Sequence, residues 1–167
     1  MDRVHGSILS LEFGSPRLVV REPITSISPS EKVRQRLARR HVKPVGEWNL
    51  FVFDCHWRFV QSGETFADDD DRQERIDAAT RAIDGQKLTV FELDATSRTT
   101  TLEFDLGGAL AIWPYEAGVD EQWSLYLPDG NVLTYRTDGC CSVSRGIEKP
   151  DDEVWHPVLQ SVRLIKR

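Results

Sequence analysis

What the sequence lacks narrows its class first. No apolar run approaches the roughly 20 residues that cross a bilayer; Leu50 to Phe53 is typical of its short stretches. The opening Met1-Asp2-Arg3-Val4-His5-Gly6 has neither the apolar core nor the small-residue cleavage site of a secretion signal. Cysteine is scarce and odd in number, at positions 55, 140 and 141, and the adjacent pair would be strained as a disulfide. These features predict a soluble, cytoplasmic protein. There is no basic excess either: 21 Lys and Arg face 27 Asp and Glu, for a net charge of -6, which argues against non-specific nucleic-acid binding as the main role. No Walker loop, dinucleotide fingerprint, G-x-S-x-G elbow or H-E-x-x-H motif occurs, so the readily legible enzyme classes lose their usual support.

What is present suits one domain, residues 1–167, with 40% hydrophobic residues to build a core. Ile8, Leu9, Leu11 and Phe13, then Gly14-Ser15-Pro16-Arg17, then Leu18 to Val20, predict a hairpin around a tight turn. Ser28-Pro29-Ser30-Glu31 has the form of a capping box and predicts a helix over about 29–40, with Val33 and Leu37 as its apolar stripe. The aromatic stretch from Trp48 to Val60 predicts one or two buried strands. Ile76, Ala79 and Ile83 at helical spacing, opened by acidic residues and closed by Asp84-Gly85, predict a second amphipathic helix. Short apolar segments separated by turn residues then predict strands near 88–93, 99–104, 110–113, 123–127, 132–135 and 141–143. Residues 146–157 read as an irregular tail before a final strand within 158–165. The expected class is α+β: a mostly antiparallel sheet of hairpins and meanders with two amphipathic helices.

Two readings concern organisation. Leu11-Glu12-Phe13 with Leu18-Val19-Val20 resembles Leu102-Glu103-Phe104 with Leu110-Ala111-Ile112, and Trp48-Asn49-Leu50 resembles Trp123-Ser124-Leu125. A pseudo-repeat of 4–60 and 86–146 would make two β units. Charge is also segregated. Residues 30–43 hold six Lys or Arg against one Glu, and residues 64–77 hold seven Asp or Glu against two Arg.

Candidates for chemistry are few. Cys55 and His56 are neighbours, but successive strand residues point to opposite faces, so they do not form a nucleophile and base pair. Cys140 and Cys141 lack a second ligand pair at zinc spacing. Asp68 to Asp71 lacks the EF-hand order, position six from Asp68 being Gln73. No metal, cofactor or catalytic residue is expected. Candidate partner-binding residues are Asp68, Asp69, Asp70 and Asp71, then Arg36 and Arg39 of the basic helix, and Trp155, the tryptophan to test for exposure. The other four, Trp48, Trp57, Trp113 and Trp123, are expected in the core.

Trp57-Arg58-Phe59, Thr101-Leu102-Glu103-Phe104-Asp105-Leu106-Gly107-Gly108 and Gln122-Trp123-Ser124-Leu125-Tyr126 with Pro128-Asp129-Gly130 resemble a group of uncharacterised bacterial proteins over roughly half the chain. Those motifs are turn glycines and core aromatics, so the resemblance implies no catalytic residue. In size, charge and architecture the chain is similar in style to immunity proteins, which neutralise toxins by binding them. The leading expectation is therefore a non-catalytic protein-binding domain, immunity-like. One alternative is a small-ligand binder or enzyme with a pocket between the β units, drawing on Asp54, His56, Glu103, Asp105 and Tyr126. Another is RNA or phosphate contact through the basic helix 32–43.

Overall fold

The computed structural model describes residues 8–53, 55–116, 118–145 and 153–165. They form two six-stranded antiparallel sheets with two helices, a more β-rich architecture than a balanced α+β fold. The first sheet contains β1 (Leu9–Arg21), β2 (His41–Val52), β8 (Glu121–Tyr126), β9 (Asn131–Arg136), β10 (Cys140–Arg145) and β11 (His156–Pro157), in that order. The second runs β12 (Val162–Ile165), β5 (Leu88–Asp94), β6 (Thr99–Phe104), β7 (Gly108–Trp113), β3 (His56–Gln61), β4 (Glu64–Asp68). Helix α1 (Glu31–Leu37) joins β1 to β2, and α2 (Gln73–Ile83) follows β4. Among the described residues no helix is long and apolar enough to cross a membrane.

One core joins the sheets. Period-2 alternation sends Leu50, Val52, Trp123 and Tyr135 inward from the first sheet, and Trp57, Phe59, Leu102, Leu110 and Ile112 inward from the second. Trp123 bridges the layers: its ring meets Phe91 edge-on at 5.7 Å, and its indole N–H donates to the Thr100 hydroxyl at 2.9 Å. The chain crosses from one sheet to the other after β2, where the Phe53 backbone N–H donates to the Gln122 carbonyl at 2.8 Å. Ile76 and Ala79 of α2 complete the core beside β4.

Several expectations need correction. Residues 9–21 are not a hairpin but one strand, paired with β2 along its whole length and interrupted between Phe13 and Pro16. Gly14, at φ +89°, makes a bulge there: the Gly and Pro that suit a turn also suit an extra residue in a strand. The pseudo-repeat alignment consequently sets one strand, β1, against two, β6 and β7. Helix α1 is shorter than expected at both ends, and its start is drawn differently. Ser28 Oγ accepts from the Ser30 N–H at 3.3 Å, while the Arg34 guanidinium takes the Ser28 and Pro29 carbonyls. Ser30 occupies the N-cap with no side-chain bond. Trp57 and Trp123 are buried, but Trp48 and Trp113 are only half-buried. Trp48 stacks on Phe13 near the sheet edge, and Trp113 lies beneath the Arg58 guanidinium. Residues 146–152 of the expected tail, like Asp54, lie outside the described residues; His156–Pro157 pair with β10.

Candidate functional site: a basic arm, a groove and a histidine–aspartate pair

Beyond the Gly14 bulge, β1 and β2 leave the core as a two-stranded arm. Register pairs Leu18 with Pro44 and Val20 with Val42 on one face; Arg17, Val19 and Arg21 meet Val45, Lys43 and His41 on the other. The apolar face is uncovered, with Leu18 70% exposed and Val20 and Val42 also exposed. The connection to α1 adds Ile24 and a fully exposed Ile27, and α1 itself buries no residue. Arg36 and Arg39 lie here, both exposed. Residues 16–45 hold eight Lys or Arg against two Glu, so the remainder of the chain carries a net charge of -12. Two of the cations are paired within the arm's vicinity, Arg40 with Glu22 and Lys43 with Glu12.

At the core end of β1 a groove of about 340 Å³ separates the strand from α2. Its floor is Trp57, Phe59, Phe104 and Leu110, and the helix wall presents Ile76, Ala79 and Ile83. Trp57 keeps its indole N–H buried with no partner among the described residues. The volume sits at the lower end of small-molecule pockets, roughly 300–1,000 Å³. The groove draws on both expected β units, Leu9 to Phe13, Trp57 and Phe59 from one and Gln86, Phe104 and Leu110 from the other, but His56, Glu103, Asp105 and Tyr126 do not line it. Nor do those four converge elsewhere. His56 pairs with Trp113 at one end of the second sheet, Glu103 pairs with Ala109 near the other, Asp105 accepts the Lys87 N–H, and Tyr126 packs on Phe51 in the first sheet.

The acidic run divides by role. Asp69 is buried, with Oδ2 2.9 Å from His56 Nδ1 and 3.3 Å from the Tyr115 hydroxyl, and Oδ1 accepting the Trp57 N–H at 3.3 Å. Asp71 accepts the Asp68 N–H at 3.0 Å and pairs with Arg75 at 3.0 Å, and Asp68 accepts the Asp70 N–H at 3.3 Å. Only Asp70 of the four is exposed. Short carboxylate side chains before a helix compete for nearby backbone N–H groups, which turns a surface-like charge run into an internal turn. Trp155 is half-buried, with the Arg136 guanidinium 4.0 Å above its ring.

His56 is wedged between Trp113, at 5.5 Å, and Tyr115, at 4.2 Å, with its ring oriented by Asp69. That is the base and orienting half of a nucleophilic triad. Among the described residues nothing hydrogen-bonds Nε2. No group of His, Cys, Asp and Glu among the described residues could hold a metal ion. Elsewhere, Cys55 is buried against the Gln122 carbonyl, and Arg136 bonds Asp138 through its guanidinium. No family model, curated protein or solved structure matches the chain.

Proposed function

We propose that this chain is a non-catalytic bacterial protein-binding domain that engages its partner through the arm formed by residues 16–45, in an immunity-like, toxin-neutralising role. The carrying observation is the uncovered apolar face of Leu18, Val20, Val42 and Pro44 on a two-stranded ribbon. An isolated two-stranded hairpin is marginal in water, and a clustered apolar surface rimmed by charge marks an interaction site. A protein suits the arm better than RNA. Its eight cations would attract phosphates, but the net charge of -12 behind them repels a polyanion, whereas a folded partner with an acidic rim can meet the arm alone. Among the described residues Cys55, Cys140 and Cys141 form no disulfide, which fits the reducing cytoplasm.

The test is capture of partners from an extract of the source cells by the immobilised chain, at low and high salt, beside a Leu18→Asp/Ile27→Asp variant. Both positions are exposed, so the variant keeps its unfolding midpoint. A protein retained by the wild type and lost by the variant is expected. Retention of nothing at either salt, equal retention by the variant, or loss of the retained species on nuclease treatment would sink the reading.

A further inference from the structure

β1 is an end strand: it pairs with β2 on one side and, among the described residues, with nothing on the other. The groove beside it is lined by five consecutive β1 residues, Leu9 to Phe13. Because strand side chains alternate between faces, consecutive residues line one cavity only when that cavity borders the strand's edge. The unpaired backbone donors and acceptors of β1 therefore open onto a space floored by Trp57 and Phe59. Natural sheets blunt such edges with charge, bulges or cover. Here the bulge at Gly14 falls after the groove, leaving residues 9–13 regular and, among the described residues, unpaired on their outer side. Past the bulge the same edge continues to Arg17 and Arg21, exposed cations with no carboxylate partner among the described residues.

We propose that the β1 edge accepts an extended peptide segment of the partner as a seventh strand of the first sheet. The segment is apolar at alternate positions, which fill the groove between β1 and α2, and acidic at the end that reaches Arg17 and Arg21. The inference rests on the protein-binding reading above and adds the form the bound segment takes. Backbone pairing supplies affinity in such strand addition, and alternate side chains in pockets supply specificity. The charge of the edge sets the segment's direction.

The probe is a synthetic peptide of alternating Val and Thr over five positions, two Ser and three Glu, used with its reversed sequence and with versions methylated on every second backbone nitrogen in either register. Amide hydrogen exchange of the full chain is the readout. One direction of the unmethylated peptide, at ten times its Kd, slows exchange of the outward amides of residues 9–13 about tenfold. Methylation in one register abolishes that protection, and Arg17→Glu/Arg21→Glu weakens binding several-fold. The proposal is overturned if neither direction protects these amides at millimolar concentration, or if both methylated registers protect them as well as the parent does. Arm-dependent capture of a protein with β1 left unprotected would end the edge proposal and leave the protein-binding reading standing.

Discussion

Asp69 and the backbone of Trp57 bond in both directions: Asp69 Oδ1 accepts the Trp57 N–H at 3.3 Å, and the Asp69 backbone N–H donates to the Trp57 carbonyl at 3.2 Å. With His56 on its other oxygen, Asp69 fastens the end of β4 to the start of β3. Asp69→Ala strands a buried N–H and removes the His56 partner, at a cost of about 2–3 kcal/mol. Asp70→Ala, at the exposed neighbour, changes stability by less than about 0.5 kcal/mol. Urea unfolding of the two variants checks this. Equal effects would show that the acidic run acts as one solvated patch.

The Asp138 carboxyl titrates below its ordinary value. Burial pushes it up, but hydrogen bonds from Arg136 and from the Cys140 N–H, at 3.0 Å, outweigh that and favour the ionised form. A group depressed in the folded state contributes stability that is present above its unfolded value, about 3.9, and is lost as pH falls through the folded one. Asp138→Asn should therefore cost about 1 kcal/mol at pH 7, the pair being partly solvated. The deficit against wild type should start to shrink as pH falls below the unfolded value and close only as pH passes below the folded one. A deficit that persists undiminished in acid would show that the carboxylate charge is not its source.

How far the chain was legible follows from where its signals lie. Helix α2 could be read because Ile76, Ala79 and Ile83 share one face and Gly85, at φ +85°, ends it locally. The strands from β5 to β10 could be read because turn residues separate them. Gly14-Ser15-Pro16 misled because turn and bulge use the same chemistry, and only pairing with Gly46 to Trp48, some 30 residues away, decides between them. The burial of Asp69 could not be read from Asp68 to Asp71, because a carboxylate that caps a backbone N–H looks, in sequence, like one in solvent. The groove had no local signal at all, since it joins residues 9–13 to 76–86.

The Cys141 and Cys55 thiols should differ in reactivity. The thiolate is the species that alkylates, and burial, then the neighbouring Cys140, pushes the Cys141 thiol up. Cys55 is fully buried, its thiol 3.6 Å from the Gln122 carbonyl. Iodoacetamide at pH 8, followed by peptide mass analysis, should label Cys141 more slowly than a free cysteine peptide and Cys55 only after unfolding. Rapid native labelling of Cys55 would mean that the crossing between the sheets opens readily.

The bulge that divides β1 depends on Gly46 as much as on Gly14. A Cβ at Gly46 would lie 2.5 Å from the Phe13 backbone nitrogen and 2.6 Å from its oxygen, atoms that cannot yield without moving the strand. Gly46→Ala should cost about 1–3 kcal/mol, as overpacking does. It should also perturb the β1 and β2 amides on both sides of the bulge, because the core half and the arm half share that hinge. Gly63→Ala is the control: its Cβ meets open space, but at φ +86° in the tight Ser62-Gly63 turn it is strained by about 1–2 kcal/mol. Its effect should stay within β3 and β4. Amide chemical shifts separate the two variants even where their unfolding midpoints coincide. If Gly46→Ala leaves β1 undisturbed, then the arm is not set by close backbone approach at the bulge, and its direction must come from α1 and the Ile24 N–H to Leu37 carbonyl bond of 2.8 Å.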